Sequence, residues 1–253
     1  MKIALGIVLL LGSGWIWGNW NSVFNARYDM SQKIVDQSIL VCGLNNASHA
    51  IIQFDFRDRH YTCYRKKGQY KYERSFQDTS GRMVHDILTN EGLVREIDGK
   101  AVELSDKNQK AYSNSVNSVI YFALLPYFLN DPAVLKKYIG KVDIKGQSYH
   151  KIEVTFKKKA GGEDHQDRYM FWFHERRLTL DFLAYQYQED GGGARFRKAY
   201  QTTKVNDMRF ADYINYQPVQ LIDEIELFDE WYAQDKLVEV SKIDLLNIKV
   251  EIL

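Results

Sequence analysis

Between residues 169 and 216 the chain offers four apolar and aromatic runs, each closed by a turn signal. Residues 169–174 and 178–186 flank Glu175-Arg176-Arg177, and the second run ends in Glu189-Asp190-Gly191-Gly192-Gly193. Residues 194–205 follow, and Asn206-Asp207 separates them from residues 208–216. Runs joined by short polar or glycine turns pair with their neighbours as an antiparallel meander. Side chains alternate along a strand. Leu178, Leu180, Phe182 and Ala184 are therefore expected on one face, with Leu183, Tyr185 and Tyr187 on the other. Both faces carry apolar bulk, so neither is simply solvated, and one must meet helices or a ligand.

The first half repeats the pattern. Residues 31–42 read as a helix with Ile34, Val35, Ile39 and Cys42 at helical spacing and Gly43 placed to end it. Residues 49–57 alternate, Ala50, Ile52, Phe54 and Phe56 against Ile51, Gln53, Asp55 and Arg57. Residues 59–65, 70–76, 82–88 and 93–97 continue as strands, and Asp98-Gly99 is a tight-turn signal before residues 100–103. The best helix lies between the halves. Ser105 caps it, Asp106 favours its positive end, Tyr112, Val116, Val119, Ile120, Ala123 and Tyr127 form one stripe, and Pro126 stops it. Asn130-Asp131-Pro132 predicts a second short helix reaching Ile139. Residues 142–144 and 149–155 then make a hairpin about Lys145-Gly146-Gln147, a charged loop covers 157–167, residues 222–234 read as an amphipathic helix, and residues 238–252 close the chain with period-two alternation at their end. Alternating strand–helix–strand units are missing from this order. The expected class is α+β: about a dozen strands in one large antiparallel sheet, curled into a half-barrel, with helices packed on its concave face.

Composition narrows the function classes. A net charge of +1 gives no field to attract nucleic acid. Seventeen Tyr and thirteen Phe against three Pro suit strands, and those aromatics that are not core can line an apolar groove. Cys42 and Cys63 can pair, but two cysteines are no disulfide framework. Residues 1–18 start with Met1-Lys2, run apolar from Ile3 to Leu11 and reach Gly12-Ser13-Gly14, the pattern of a secretory signal peptide. Trp15, Ile16, Trp17 and Trp20 leave a retained N-terminal anchor as the other reading. Residues 19–253 are expected to form a single domain, exported to the periplasm or associated with the outer membrane.

Four runs carry a family resemblance: Phe54-Asp55-Phe56-Arg57-Asp58-Arg59-His60-Tyr61, residues 112–126, residues 190–197, and Arg209-Phe210-Ala211-Asp212-Tyr213-Ile214-Asn215-Tyr216. They resemble a family of secreted Bacteroidota envelope proteins that has no established activity. The resemblance covers residue 31 onward and implies the fold of the LolA/LolB lipoprotein carriers. Many members of that family look lipid-anchored; this chain has no cysteine directly after its apolar run.

No catalytic motif and no cofactor motif stand out. Asp164, His165 and Asp167, with His174, are weak metal candidates by ligand type. Their spacing matches no ligand signature, so a solvated loop and a strand-end histidine explain them as well. Arg195, Arg197 and Arg209 near the glycines can bind an anion, or pair with Asp181, Glu189 or Asp212 across strands. Gly191-Gly192-Gly193 lacks the Lys-Ser/Thr of a phosphate loop, and His85-Asp86 has no nucleophile elbow beside it. The residues expected to line a groove are Phe54, Phe56, Tyr112, Val116, Ile120, Ala123, Phe171, Phe182 and Tyr185. The function expected first is non-enzymatic binding or carriage of an acyl chain or lipoprotein lipid, with residues 105–125 as a lid. The alternatives are an interaction subunit with an outer-membrane protein partner, or a metal-dependent enzyme centred on His165 and His174.

Overall fold

The structure, a computed structural model, describes residues 30–157, 168–187, 192–219 and 224–253. Residues 1–18, Asp164, His165 and Asp167 lie outside the described residues. Helix α1 (residues 30–41) leads into six strands in a meander: β1 (Ala50–Phe56), β2 (Arg59–Lys66), β3 (Gln69–Gln77), β4 (Met83–Thr89), β5 (Gly92–Ile97) and β6 (Lys100–Val102). Helix α2 (Asp106–Ala123) then crosses to a second meander. This comprises β7 (Val134–Ile144), β8 (Gln147–Phe156), β9 (Tyr169–His174), β10 (Leu180–Tyr187), β11 (Gly193–Val205) and β12 (Met208–Pro218). After helix α3 (Phe228–Ala233), β13 (Leu237–Ile243) pairs with β12, and β14 (Leu246–Ile252) returns to pair with β1. At several two-residue joins both residues take the left-handed conformation such turns need: Asp98 and Gly99 have φ of 49° and 75°.

The strands form two seven-stranded antiparallel sheets, not the single sheet of about a dozen expected. β6 is only three residues long, and the chain leaves the first sheet there through α2. The terminal extended stretch also divides. At residues 244–245 the backbone passes from one sheet to the other, and the Leu245 N–H donates to Asp212 Oδ1 at 2.8 Å.

Residues 131–139 are not helical. Tyr127–Asn130 is one 3-10 turn, and Asp131 Oδ1 accepts the Ala133 N–H at 2.8 Å, a local turn in place of a helix cap. From there buried Val134 and Lys136 alternate with exposed Leu135 and Lys137, a period-two pattern that pairs with β8. The expected helix over 222–234 is shorter as well, a 3-10 turn at Ile225–Leu227 followed by α3.

Two cores result. Between the sheets lie Ile52, Phe54, Tyr61 and Cys63 from the first sheet and Ile152, Phe171, Phe173 and Leu183 from the second. Ile34, Val35 and Ile39 of α1 join them with Val116 and Ile120 of α2. Cys42 and Cys63 are both buried free thiols, and burial pushes the Cys63 thiol up to about 12. Gly43 ends α1 with φ 67°, and a Cβ there would stand 2.1 Å from the Asp207 carbonyl oxygen. Only glycine lets α1 reach the β11–β12 turn.

The second core lies on the opposite face of the second sheet. Met170, Trp172, Phe182, Ala184 and Phe196 pack there against Phe228 and Tyr232 of α3. A register slip between Leu180 and Phe182 explains why these two do not share a face as simple alternation expects. Leu180 belongs to the core between the sheets and Phe182 to the one under α3. The helices are therefore split between the two faces of the second sheet.

Candidate functional site

Helix α2 is fixed by polar contacts at its middle and by two buried side chains just beyond them. Ser105 Oγ accepts the Asn108 N–H at 3.4 Å, as its cap position predicts. Asp86, completely buried on β4, accepts from Arg74 Nε at 2.9 Å and Nη2 at 2.6 Å, and from Arg95 Nε at 2.6 Å. Arg74 Nη1 also donates to Ser115 Oγ of α2 at 2.7 Å, and the Arg95 guanidinium lies 3.5 Å from the centre of the Tyr112 ring. Charge-assisted bonds of this kind are strong and directional. They tie α2 to the first sheet at Tyr112 and Ser115, next to Val116 and Ile120, which enter the core.

The second half of α2 borders a cavity of about 220 Å³. The helix contributes Ser118, Val119, Phe122 and Ala123. Tyr185 of β10, Arg197 of β11, and Ala211 and Tyr213 of β12 face them. Phe56 of β1, Ile243 and Leu245 complete the wall at the passage between the sheets. The cavity is therefore apolar on most sides with one cation in its wall.

That cation is held in place from two sides. The Arg197 guanidinium carbon lies 4.3 Å from the Phe122 ring centre and 5.0 Å from that of Tyr185. Its Nη2 donates to Tyr185 Oη at 2.8 Å. Its Nε is buried and meets no acceptor among the described residues. Burial pushes the Tyr213 hydroxyl up to about 12 against the opposing effect of Arg209 and Arg197, so Tyr213 keeps its proton near neutral pH.

Of the groove residues expected from sequence, Phe56, Ala123 and Tyr185 line this cavity. Phe54, Val116, Ile120 and Phe171 are fully buried in the core between the sheets. Tyr112 lies under Arg95, and Phe182 sits on the opposite face of the second sheet. Of the three arginines, only Arg197 reaches the cavity. Arg209 stands 3.8 Å from Asp181, while Arg195 lies over the Tyr187 ring and donates to the Ala194 carbonyl. Sequence reasoning missed Ser118 and Phe122, although 115, 118, 122 is itself a helical row. It also missed Ala211, Tyr213, Ile243 and Leu245, whose place depends on where the chain changes sheets.

His174 is in a different setting. Its Nδ1 accepts the backbone N–H groups of Arg176 and Arg177, both at 3.1 Å, and its Nε2 is 3.3 Å from Gln147 Oε1. Both ring nitrogens are engaged at a strand end. Burial and then the nearby Arg177 charge hold its pKa below the usual histidine value. A polar hollow of about 250 Å³ beside it is lined by Asp143, Gln147, Ser148, Glu175 and Arg176. Among the described residues no three His, Cys, Asp or Glu side chains converge as a metal site would require.

Fold and cavity define a β-rich protein of two seven-stranded antiparallel sheets with a helix-bordered apolar cavity. Residues 20–245 match the model of DUF6503, described as a family of unknown function, and the chain belongs to that family. No curated protein matches the sequence. Among solved structures, a LolA superfamily protein from Nitrosomonas europaea aligns at 9% identity and TM-score 0.46, over 88% of this chain and 94% of its own. A putative outer membrane lipoprotein-sorting protein domain from Vibrio parahaemolyticus aligns at 8% identity and TM-score 0.44, over 86% and 93%. A DUF1329 family protein from Desulfovibrio piger aligns at 12% identity and TM-score 0.41, over 87% and 92%. Among the described residues no helix is long and apolar enough to cross a membrane.

Proposed function

We propose that this protein is a non-enzymatic envelope protein that binds or carries an apolar ligand, an acyl chain or the lipid of a lipoprotein. The binding place is the cavity between the second half of α2 and the second sheet. The observation that carries this reading is the apolar wall of Val119, Phe122, Ala123, Ala211, Ile243 and Leu245, left open although the residues next to it are packed. Each methylene buried in such a space contributes about 0.8 kcal/mol, so a modest chain length gives useful affinity. The half-barrel carrier fold that the sequence resemblance implies would use this same space, with α2 as its cover. The leader at residues 1–18 supports an exported protein of the periplasm or outer membrane.

Native mass spectrometry of the full protein purified from its own envelope, followed by lipid extraction, tests the reading. A bound acyl species is expected. Ala123→Trp, which fills the cavity from α2, is expected to remove that species while leaving a cooperative melt. Unchanged lipid retention in the tryptophan variant would overturn the assignment of the cavity. A ligand-free wild-type protein that instead co-purifies with an outer-membrane protein would favour the interaction-subunit alternative.

A further inference from the structure

We propose that the cavity takes a single-chain amphiphile with an anionic head, carboxylate or phosphate, and that Arg197 binds that head. This rests on the cavity being the ligand site and adds the class of ligand.

The inference starts from how several buried and half-buried cations of this protein are matched. Arg74 and Arg95 share Asp86, and Lys151 meets Asp229 at 2.9 Å. Arg209 has Asp181. A charge withdrawn from water is costly unless it is paired and hydrogen-bonded. Arg197 has no such partner, and unlike Lys136 and Arg65, which also lack a carboxylate, it stands in the wall of the cavity. No carboxylate among the described residues pairs with it, its Nε meets no acceptor there, and its one side-chain bond is to the neutral Tyr185 hydroxyl. The rings of Phe122 and Tyr185 hold the guanidinium in place without satisfying its donors. A guanidinium fork with free N–H groups matches a carboxylate or phosphate in a two-point contact. Tyr213, which also lines the cavity and keeps its proton, offers a second donor.

The walls away from Arg197 set the rest of the ligand. Ala211, Ile243 and Leu245 offer no donor beyond backbone, which suits a hydrocarbon tail. A volume of about 220 Å³ lies below the ~300–1,000 Å³ of sites that enclose drug-sized ligands. One chain fits such a space better than the several chains of a diacyl or triacyl lipid.

The test uses the full chain with a fluorescent fatty acid, cis-parinaric acid, and its neutral methyl ester. The wild type is expected to bind the acid at least about tenfold more tightly than the ester. In Arg197→Gln the two affinities should become nearly equal, the acid losing far more affinity than the ester. Arg197→Lys should keep part of the preference. Competition by lysophosphatidylglycerol separates the two head types: displacement at lower concentration than a fatty acid assigns a phosphate, and the reverse assigns a carboxylate. Equal binding of acid and ester by the wild type would overturn the role of Arg197 and leave the cavity reading standing. So would an acid preference that survives in a folded Arg197→Gln. Binding of neither probe would overturn both. Should the glutamine variant fail to fold, the wild-type ratio and the lysine variant decide the matter.

Discussion

The two faces of the second sheet are both covered by a helix, yet they are built differently. On the face under α3, ring meets ring: Phe196 lies 5.6 Å from Trp172, 5.5 Å from Phe182 and 5.2 Å from Tyr232, centre to centre. Lys151 anchors that helix through Asp229 and the Glu226 carbonyl. On the face toward α2, the same sheet presents Tyr185, Arg197, Ala211 and Tyr213 to a space that no side chain fills. Aromatic burial and a central ion pair hold α3 down along its two turns. The contacts at Tyr112 and Ser115, with buried Val116 and Ile120, hold one side of α2 and leave Ser118, Val119, Phe122 and Ala123 over the cavity. The difference separates a face whose helix completes a core from a face whose helix bounds a site.

Substitutions can break that contrast. The largest effect is expected at the clamp of α2. Asp86→Ala leaves Arg74 and Arg95 buried without their partner, and removing one side of a buried pair costs ~3–5 kcal/mol. Chemical denaturation should show that loss, and a change under about 1 kcal/mol would mean the two arginines find water or another acceptor. Next comes the packed face. Phe196→Ala should cost about 3 kcal/mol or somewhat more, because the rigid ring cluster cannot collapse into the hole. The matching truncation on the open face, Phe122→Ala, should cost only about 1 kcal/mol, since its half-buried ring already borders empty space. Equal costs for the two phenylalanines would erase the distinction between the faces.

The smallest expected effect is on pH. His150 and His174 both have pKa values depressed below 6.5, first by burial and then by the cationic neighbours Lys141 and Arg177. The unfolded chain therefore binds protons more readily, and the stability these residues contribute above about pH 6.5 is lost as pH falls through their folded values. Tm should decline modestly on acidification from neutral, and His174→Gln should flatten part of the decline. Asp212, raised by burial, opposes the trend at lower pH.

Much of the fold was legible because strand and helix periods differ. Alternation at residues 50–56 marked Ala50, Ile52 and Phe54 as the inward set, and all three are fully buried. Ser105, Asp98-Gly99 and Lys145-Gly146 marked ends and turns through their own backbone chemistry. Partition into two sheets was not legible. β6 to α2 to β7, and β13 to β14, depend on which edges lie free in space, and local pattern does not carry that. The slip at Asp181, which parts Leu180 from Phe182, is equally a property of pairing. At the site, Ala123 followed from the helical stripe and Phe56 and Tyr185 from alternation. Arg197 stood among three arginines that only packing could separate. Tyr213, Ile243 and Leu245 became neighbours through the change of sheet.

The pairing of β14 with β1 also shapes how the chain acquires its structure. Asn247 reaches back to Asp55 at 2.6 Å across 192 residues of sequence. During synthesis, one flank of β1 has no partner until Leu246–Ile252 have been made. Closing a contact of such separation costs chain entropy before it returns any stability, and topologies rich in such contacts fold slowly. An unpaired strand flank is a template for other chains, so Ala50–Phe56 is the segment at which incompletely made copies would associate with one another.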